Sequence, residues 1–234
     1  MSLFDQVKKD IPSNNILCKA AAEEIFSGKS KEDIKENFSQ YVTALQNRIY
    51  EKYLEHEQAS AQSVIDQQIQ EKQAIYFPDL NKLTMSLSQS RKSRAGKAFE
   101  GIFQELFSRL GYSYSDQVDI DGAKPDFVMP SEEYFREKPL ESIIFTAKRT
   151  LRERWRQVVT EANKGYSFFL ATFDEKISSN QIEQAAKHKI YVVVPKPLKN
   201  DIPHYKSSYN VLSFEEFLKL HLDPAVQRWR ATEE

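Results

Sequence analysis

The stretch Ser142-Ile143-Ile144-Phe145-Thr146-Ala147-Lys148 runs directly into Arg149-Thr150-Leu151-Arg152-Glu153-Arg154-Trp155-Arg156-Gln157. The apolar run ending in a lysine predicts a buried strand, because strands covered on both faces lose the polar alternation of half-exposed ones. The residues after it, Leu151 to Asn163, fit a helix that buries Trp155, Val158, Val159 and Ala162 along one stripe. Moving outward, further strand candidates are Tyr112–Val118, Asp126–Met129, Ser167–Phe173 and Ile190–Val194. Helices fit Asn180–Lys189, Ser213–Leu222 and the segment with Phe99, Ile102, Phe103, Leu106, Phe107 and Leu110, which Gly111 closes. Helix, three strands, helix, strand, helix, strand predicts an α/β fold with a mixed sheet flanked by helices. That order puts Asp126 and Lys148 on adjacent strands.

The chain divides near residue 80. No glycine occurs between Gly28 and Gly96, and Ile34, Phe38, Tyr41, Val42, Leu45 and Ile49 recur at helical spacing, so residues 1–80 are expected to be a helical region. The following segment, His56 to Gln73, is Gln-rich with few large aliphatics, as in a helix that pairs with another element or a second subunit. Tyr76-Phe77-Pro78-Asp79 reads as a break, and residues 81–234 form the α/β part.

Composition narrows the function classes. The 234 residues carry a net charge of −1, so any nucleic-acid footprint is local. Two basic patches exist, one at Lys82, Arg91, Lys92, Arg94 and Lys97, the other from Lys148 to Arg156 with Glu153 its one acid. Cys18 stands alone, which excludes disulfides within the chain and cysteine-based zinc sites. His56, His188, His204 and His221 show no metal-ligand spacing. No membrane-spanning run, targeting segment or nucleotide-binding glycine loop is evident, and the expectation is a cytoplasmic protein.

Asp126 begins a strand after the turn Asp121-Gly122-Ala123-Lys124, and Lys148 ends the next long strand. Residues two apart on a strand share a face, so Thr146 and Lys148 point the same way. Many nucleases place an acid where Thr146 stands. A divalent ion such as Mg²⁺ then needs a replacement carboxylate. Glu161, on the following helix, is the candidate, and Glu100 is a second. Each has an ordinary alternative: Asp126 as a turn residue, Lys148 as an edge residue, the glutamates as solvated helix acids. Thr150-x-x-Glu153 is also a capping box. Capping does not account for Arg152, since a cation in a first helical turn opposes the helix dipole at roughly 0.3–1 kcal/mol. Four arginines and a lysine gathered there indicate an anionic partner.

Three blocks together, Ser90-Arg91-Lys92-Ser93-Arg94-Ala95-Gly96-Lys97-Ala98-Phe99-Glu100, Pro125-Asp126, and Lys148-x-x-x-Arg152-Glu153-Arg154-Trp155-Arg156-Gln157 with Glu161, resemble type II restriction endonucleases. The resemblance is to the PD-(D/E)XK branch that cuts CCGG, CCNGG or CCWGG sites, and it covers roughly Ser86 to Val194. It implies the restriction-endonuclease-like sheet and Mg²⁺-dependent cleavage of double-stranded DNA. Asp126 and Glu161 would be metal ligands, Glu100 a supporting acid, and Lys148 the residue that activates water and stabilises phosphate charge. Arg152, Glu153 and Arg154 would read bases, which suits their chemistry: arginine forks to guanine O6 and N7, and glutamate accepts from cytosine N4. Gln89 would contact bases near the centre of the site, while Arg91, Lys92, Arg94 and Arg156 would hold backbone phosphates. A platform for a flipped base is expected in the N-terminal helices, with Tyr53 near Arg48 the candidate and Tyr41 and Tyr50 equally arguable. The twofold symmetry of a duplex implies a homodimer, and the resemblance implies a cognate DNA methyltransferase as genetic partner. Two other readings fit the same residues: a repair or structure-dependent nuclease on the same fold, and a non-catalytic DNA-binding module.

Overall fold

The computed structural model describes residues 1–71, 73–74, 76–120, 122–151, 155 and 167–233. The expected helix Leu151–Asn163 therefore lies outside the described residues, apart from Leu151 and Trp155. Two compact units are present. The first comprises Met1–Ser27 and Thr43–Glu105, and the second comprises Gly28–Val42 and Leu106–Glu234. The helix that begins at Phe77, beside the expected break, continues to Leu110 and contributes to both.

In the first unit α1 (Leu3–Lys9) and α2 (Asn14–Phe26) begin at serine N-caps, whose hydroxyls accept from Asp5 and Ile16 amides. Their partners are the parts of α4 (Phe38–Gln70) and α5 (Phe77–Leu110) that belong to this unit, α3 (Lys31–Glu36) lying in the second. Ser60 donates to the Val7 carbonyl at 2.9 Å, and Asn14 donates to the Arg94 carbonyl at 2.9 Å. A Cβ on Gly101 would stand 2.9 Å from Cys18 Sγ, so a glycine is what lets α2 lie this close to α5. Burial, with a smaller push from Glu105, raises the Cys18 thiol to about 12, which keeps it unreactive at neutral pH.

The second unit is built on a five-stranded sheet in the order β1 (Phe127–Met129), β2 (Ile143–Ala147), β3 (Ser167–Ala171), β4 (Ile190–Val194) and β5 (Val211–Ser213). β1 runs antiparallel to β2, and the remaining pairs are parallel. The sheet is thus mixed, as the sequence leads one to expect. Every residue of β2 is buried, so its side chains fill two layers. On one face Phe145 meets Phe107, Phe127 and Phe217 with ring centroids 5.1–5.9 Å apart. On the other, Ile144 joins a core with Val128, Phe168, Leu170, Val192, Val194 and Tyr205. Further helices are α6 (Glu132–Glu137), α7 (Ser179–Lys187), α8 (Lys196–Asp201), α9 (Pro203–Ser207), α10 (Phe214–Phe217) and α11 (Asp223–Glu233), the last two joined by a π-helical turn at Leu218–Leu222.

One local expectation is corrected. Tyr112–Val118 does not form a strand; only Ser115 pairs with Val128, because Gln117 takes a positive φ of 58° and turns the chain away. The expected helix at Ser213–Leu222 is present, with Ser213, the last residue of β5, as its N-cap. The helix stop at Gly111 is as expected. Its φ is +81°, Tyr112 N–H returns to the Phe107 carbonyl at 2.9 Å, and Gly111 N–H to that of Ser108 at 3.1 Å. Phe107 is fully buried against Phe127, Phe145 and Tyr112. Truncating it in Phe107→Ala should cost about 3–5 kcal/mol, read as a lower urea midpoint for loss of the second unit's structure.

Candidate active site

Asp126 immediately precedes β1, and the β1–β2 register pairs Phe127 with Phe145 and Val128 with Ile144. Extended by one residue, the same antiparallel register sets Asp126 opposite Thr146. Because side chains alternate, Asp126, Val128, Ile144, Thr146 and Lys148 share one face of the sheet. Contacts follow that register. Asp126 Oδ2 accepts from Thr146 Oγ1 at 2.8 Å and from the Ala147 amide at 2.7 Å. Lys148 Nζ donates to Oδ1 at 2.9 Å and to Oδ2 at 2.8 Å. The two charged side chains are 14% and 15% exposed, buried enough to be fixed and open enough to meet a ligand.

The hydroxyl of Thr146 thus orients the carboxylate. The sequence signal for it is the alternation that pairs Thr146 with Lys148. For a hard cation the pair offers one suitable group, since Asp126 Oδ1 accepts only from Lys148 among the described residues. No cluster of three or more metal-ligating side chains occurs among the described residues. The second expected ligand, Glu161, lies outside them, as do the base-reading candidates Arg152, Glu153 and Arg154 and the phosphate-contact candidate Arg156.

The main chain on either side of Lys148 is tied to the end of β3. Lys148 N–H donates to the Ala171 carbonyl at 2.9 Å, and Leu151 N–H donates to Asp174 Oδ2 at 2.8 Å. Thr172 and Asp174 escape a reading of spacings, because the one signal they give is a polar pair directly after an apolar strand.

In the first unit Glu100 is half-buried on α5, and Gln89 and Lys92 are exposed on the same helix. Gln89 lines a cleft of about 770 Å³ together with Lys8, Ser86, Ser93, Arg94 and Lys97. Arg91 pairs with Glu57, whose side chain is 3% exposed. Arg94 donates to the Pro12 carbonyl at 2.8 Å and lies over the Tyr53 ring, 5.0 Å from its centroid. Arg48 reaches Glu24 at 2.8 Å, with Glu51 and Glu55 close by. Tyr53, the candidate platform for a flipped base, is 3% exposed and lies under Arg94.

A family model described as EcoRII C terminal matches residues 57–218, most of the chain. The chain belongs to that family. Type II restriction enzyme SsoII of Shigella sonnei is 33% identical over 159 residues, which cover 62% of this chain and 50% of that protein. Type II restriction enzyme EcoRII of Escherichia coli is 35% identical over 126 residues, covering 52% of this chain and 31% of that protein. The match therefore spans half or less of the length of these relatives. Two solved structures share the fold. Metal-depleted Ecl18kI in complex with uncleaved, modified DNA superposes with a TM-score of 0.81 at 24% identity, over 97% of this chain and 83% of that one. The PspGI–substrate DNA complex gives 0.72 at 24% identity, over 94% of both chains. The five-stranded mixed sheet with its helices is thus a restriction-endonuclease-like α/β fold.

Asp126→Asn would set an amide against one or more of three donors and remove the charge partner of Lys148. The expected loss is roughly 1–3 kcal/mol, measured by chemical denaturation without metal.

Proposed function

We propose that this protein is a type II site-specific deoxyribonuclease that cuts double-stranded DNA at a short site with CC and GG halves, of the CCNGG or CCWGG kind. The observation that carries this reading is the Asp126–Lys148 pair flanking the adjacent strands β1 and β2, in a chain of the EcoRII C-terminal family. Support also comes from the relatives' descriptions as type II restriction enzymes and from neighbouring structures that are DNA complexes.

In this reading Asp126 and Glu161 hold a divalent metal, taken as Mg²⁺, with Glu100 in support. When bound, such an ion polarises the phosphodiester and lowers the pKa of attacking water. The chain's own groups do the rest. Thr146 and the Ala147 amide hold the Asp126 carboxylate in place, and Lys148 brings a positive charge to the scissile phosphate. Arg152, Glu153 and Arg154 read two adjacent G·C pairs from the major groove, and Gln89 contacts the centre of the site. Lys92 and Arg156 hold phosphates. Arg91 and Arg94 add only those N–H groups not already engaged by Glu57, Asn14 and the Pro12 carbonyl. The helical residues 1–80 supply DNA contacts and the twofold contact of a homodimer, and residues 81–234 the catalytic part. A methyltransferase of the same specificity would protect the host's own sites.

Digestion of a plasmid of known sequence with Mg²⁺ tests this directly. Discrete fragments should appear, their ends mapping to one motif with CC and GG, and EDTA should abolish them. Lys148→Ala should slow cleavage by on the order of 10²–10³-fold. A smear would instead indicate a non-specific nuclease on this fold. An uncut plasmid, together with tight binding to CCNGG duplexes, would leave a DNA-binding module. With a net charge of −1 and arginines already paired inside the protein, few phosphates are neutralised. Specific affinity should therefore fall only shallowly with salt in a titration, and a steep slope would contradict the assignment of few phosphate contacts.

A further inference from the structure

Between Lys148 and Leu151 the main chain is held by one short segment, Ala171 to Asp174, that begins at the last residue of β3. Lys148 N–H bonds to the Ala171 carbonyl at 2.9 Å. The Arg149 carbonyl accepts from Thr172 Oγ1 and from the Phe173 amide, both at 3.3 Å. Leu151 N–H bonds to Asp174 Oδ2 at 2.8 Å. The segment is itself fixed. Asp174 Oδ1 accepts from the Lys176 amide at 3.0 Å, and the Asp174 amide donates to Thr172 Oγ1 at 3.1 Å. Tyr205, fully buried, donates its hydroxyl to the Asp174 carbonyl at 2.7 Å and accepts from the Ile177 amide at 3.1 Å. Thr172 is 0% and Asp174 7% exposed. A carboxylate is unfavourable in such a place unless its oxygens are used, and here each accepts a main-chain N–H.

We infer that Asp174, supported by Thr172, is a positioning residue that sets the spacing between Lys148 and the triplet Arg152-Glu153-Arg154, which begins at the residue after Leu151. The inference rests on the reading of Lys148 and the triplet given above. Base reading needs the donors and acceptors placed to within about half an ångström, whereas phosphate contacts tolerate looser placement. The far side of the triplet is anchored as well. Trp155 is buried in the core of the second unit, and its Nε1–H donates to Gln184 Oε1 at 3.2 Å. With both flanking residues held, a loosened Leu151 should blur discrimination between sequences and leave general attraction to DNA intact.

The test uses the full chain in EDTA, so that binding is read without cleavage. Dissociation constants are measured for the duplex mapped by plasmid digestion, for the same duplex with one G·C pair replaced by A·T, and for a random duplex. Asp174→Asn and Thr172→Val should each lower the ratio between the first two by about tenfold, the discrimination of roughly one base-reading pair. Random-duplex affinity should not change, and Thr172→Ser, which keeps the hydroxyl, should restore the ratio. An unchanged ratio in variants that still melt cooperatively overturns the inference. So does an equal loss on all three duplexes, which is the mark of a merely structural role. If Asp174→Asn fails to fold, Thr172→Val with Thr172→Ser decides alone. A wild-type protein that binds all three duplexes equally defeats the base-reading assignment itself, and this is visible before any substitution is made.

Discussion

Everything proposed for the active site depends on the pairing of β1 with β2. The antiparallel register brings Asp126 opposite Thr146, and one carboxylate oxygen then collects a hydroxyl, a main-chain amide and an ammonium. A slip of one residue would turn Asp126 to the opposite face, among Phe107, Phe127 and Phe145. That slip is opposed by packing, because it would also bring Phe127 and Phe145 out of a well-packed aromatic cluster. The core therefore specifies the chemistry: the aromatic side of the sheet fixes the register, and the register builds the site on the other side.

Much of this is legible in the residue pattern. Long apolar stripes such as Phe99 to Leu110 mark their helices clearly, since several large side chains have to share one face. The adjacency of Asp126 and Lys148 follows from the order of elements, and the resemblance to the CC/GG-cutting enzymes agrees with the family match. What the pattern misses has physical causes. Tyr112–Val118 has strand composition, but a single left-handed residue at Gln117 ends the extension, and no propensity announces that position. Val211–Ser213 is too short for alternation to register, and its pairing with β4 is decided by tertiary contact. Thr172 and Asp174 form hydrogen bonds to a main chain more than twenty residues earlier, which spacing alone does not encode.

The first unit shows why basic residues in a sequence are a poor guide to a binding surface. Arg91, Arg94 and Arg48 look alike on paper, yet each is turned toward the protein's own acids, carbonyls or aromatic ring. Glu57 is the reason for one of them. Buried within α4, its carboxylate requires a cation, and Arg91 meets that need. Lys92 and Gln89, between and before these arginines, stay exposed. Along this helix, arginines engaged by the protein's own groups thus alternate with exposed polar side chains.

The second unit is closed by residues that are far apart in sequence. Glu215 accepts from the amide and hydroxyl of Ser39, and Asp223 accepts from Lys35 and from the Tyr112 hydroxyl. These bonds span 176 and 188 residues in the cases of Ser39 and Lys35. Contacts of such long sequence separation form late, after the entropy of closing the loop has been met. On a ribosome, the segment Gly28–Val42 must wait for its partners until residues beyond Asp223 have been made. A protein whose proposed activity endangers the genome of its own cell would, by this topology, complete the fold of its second unit only after the segment around Asp223 has been made.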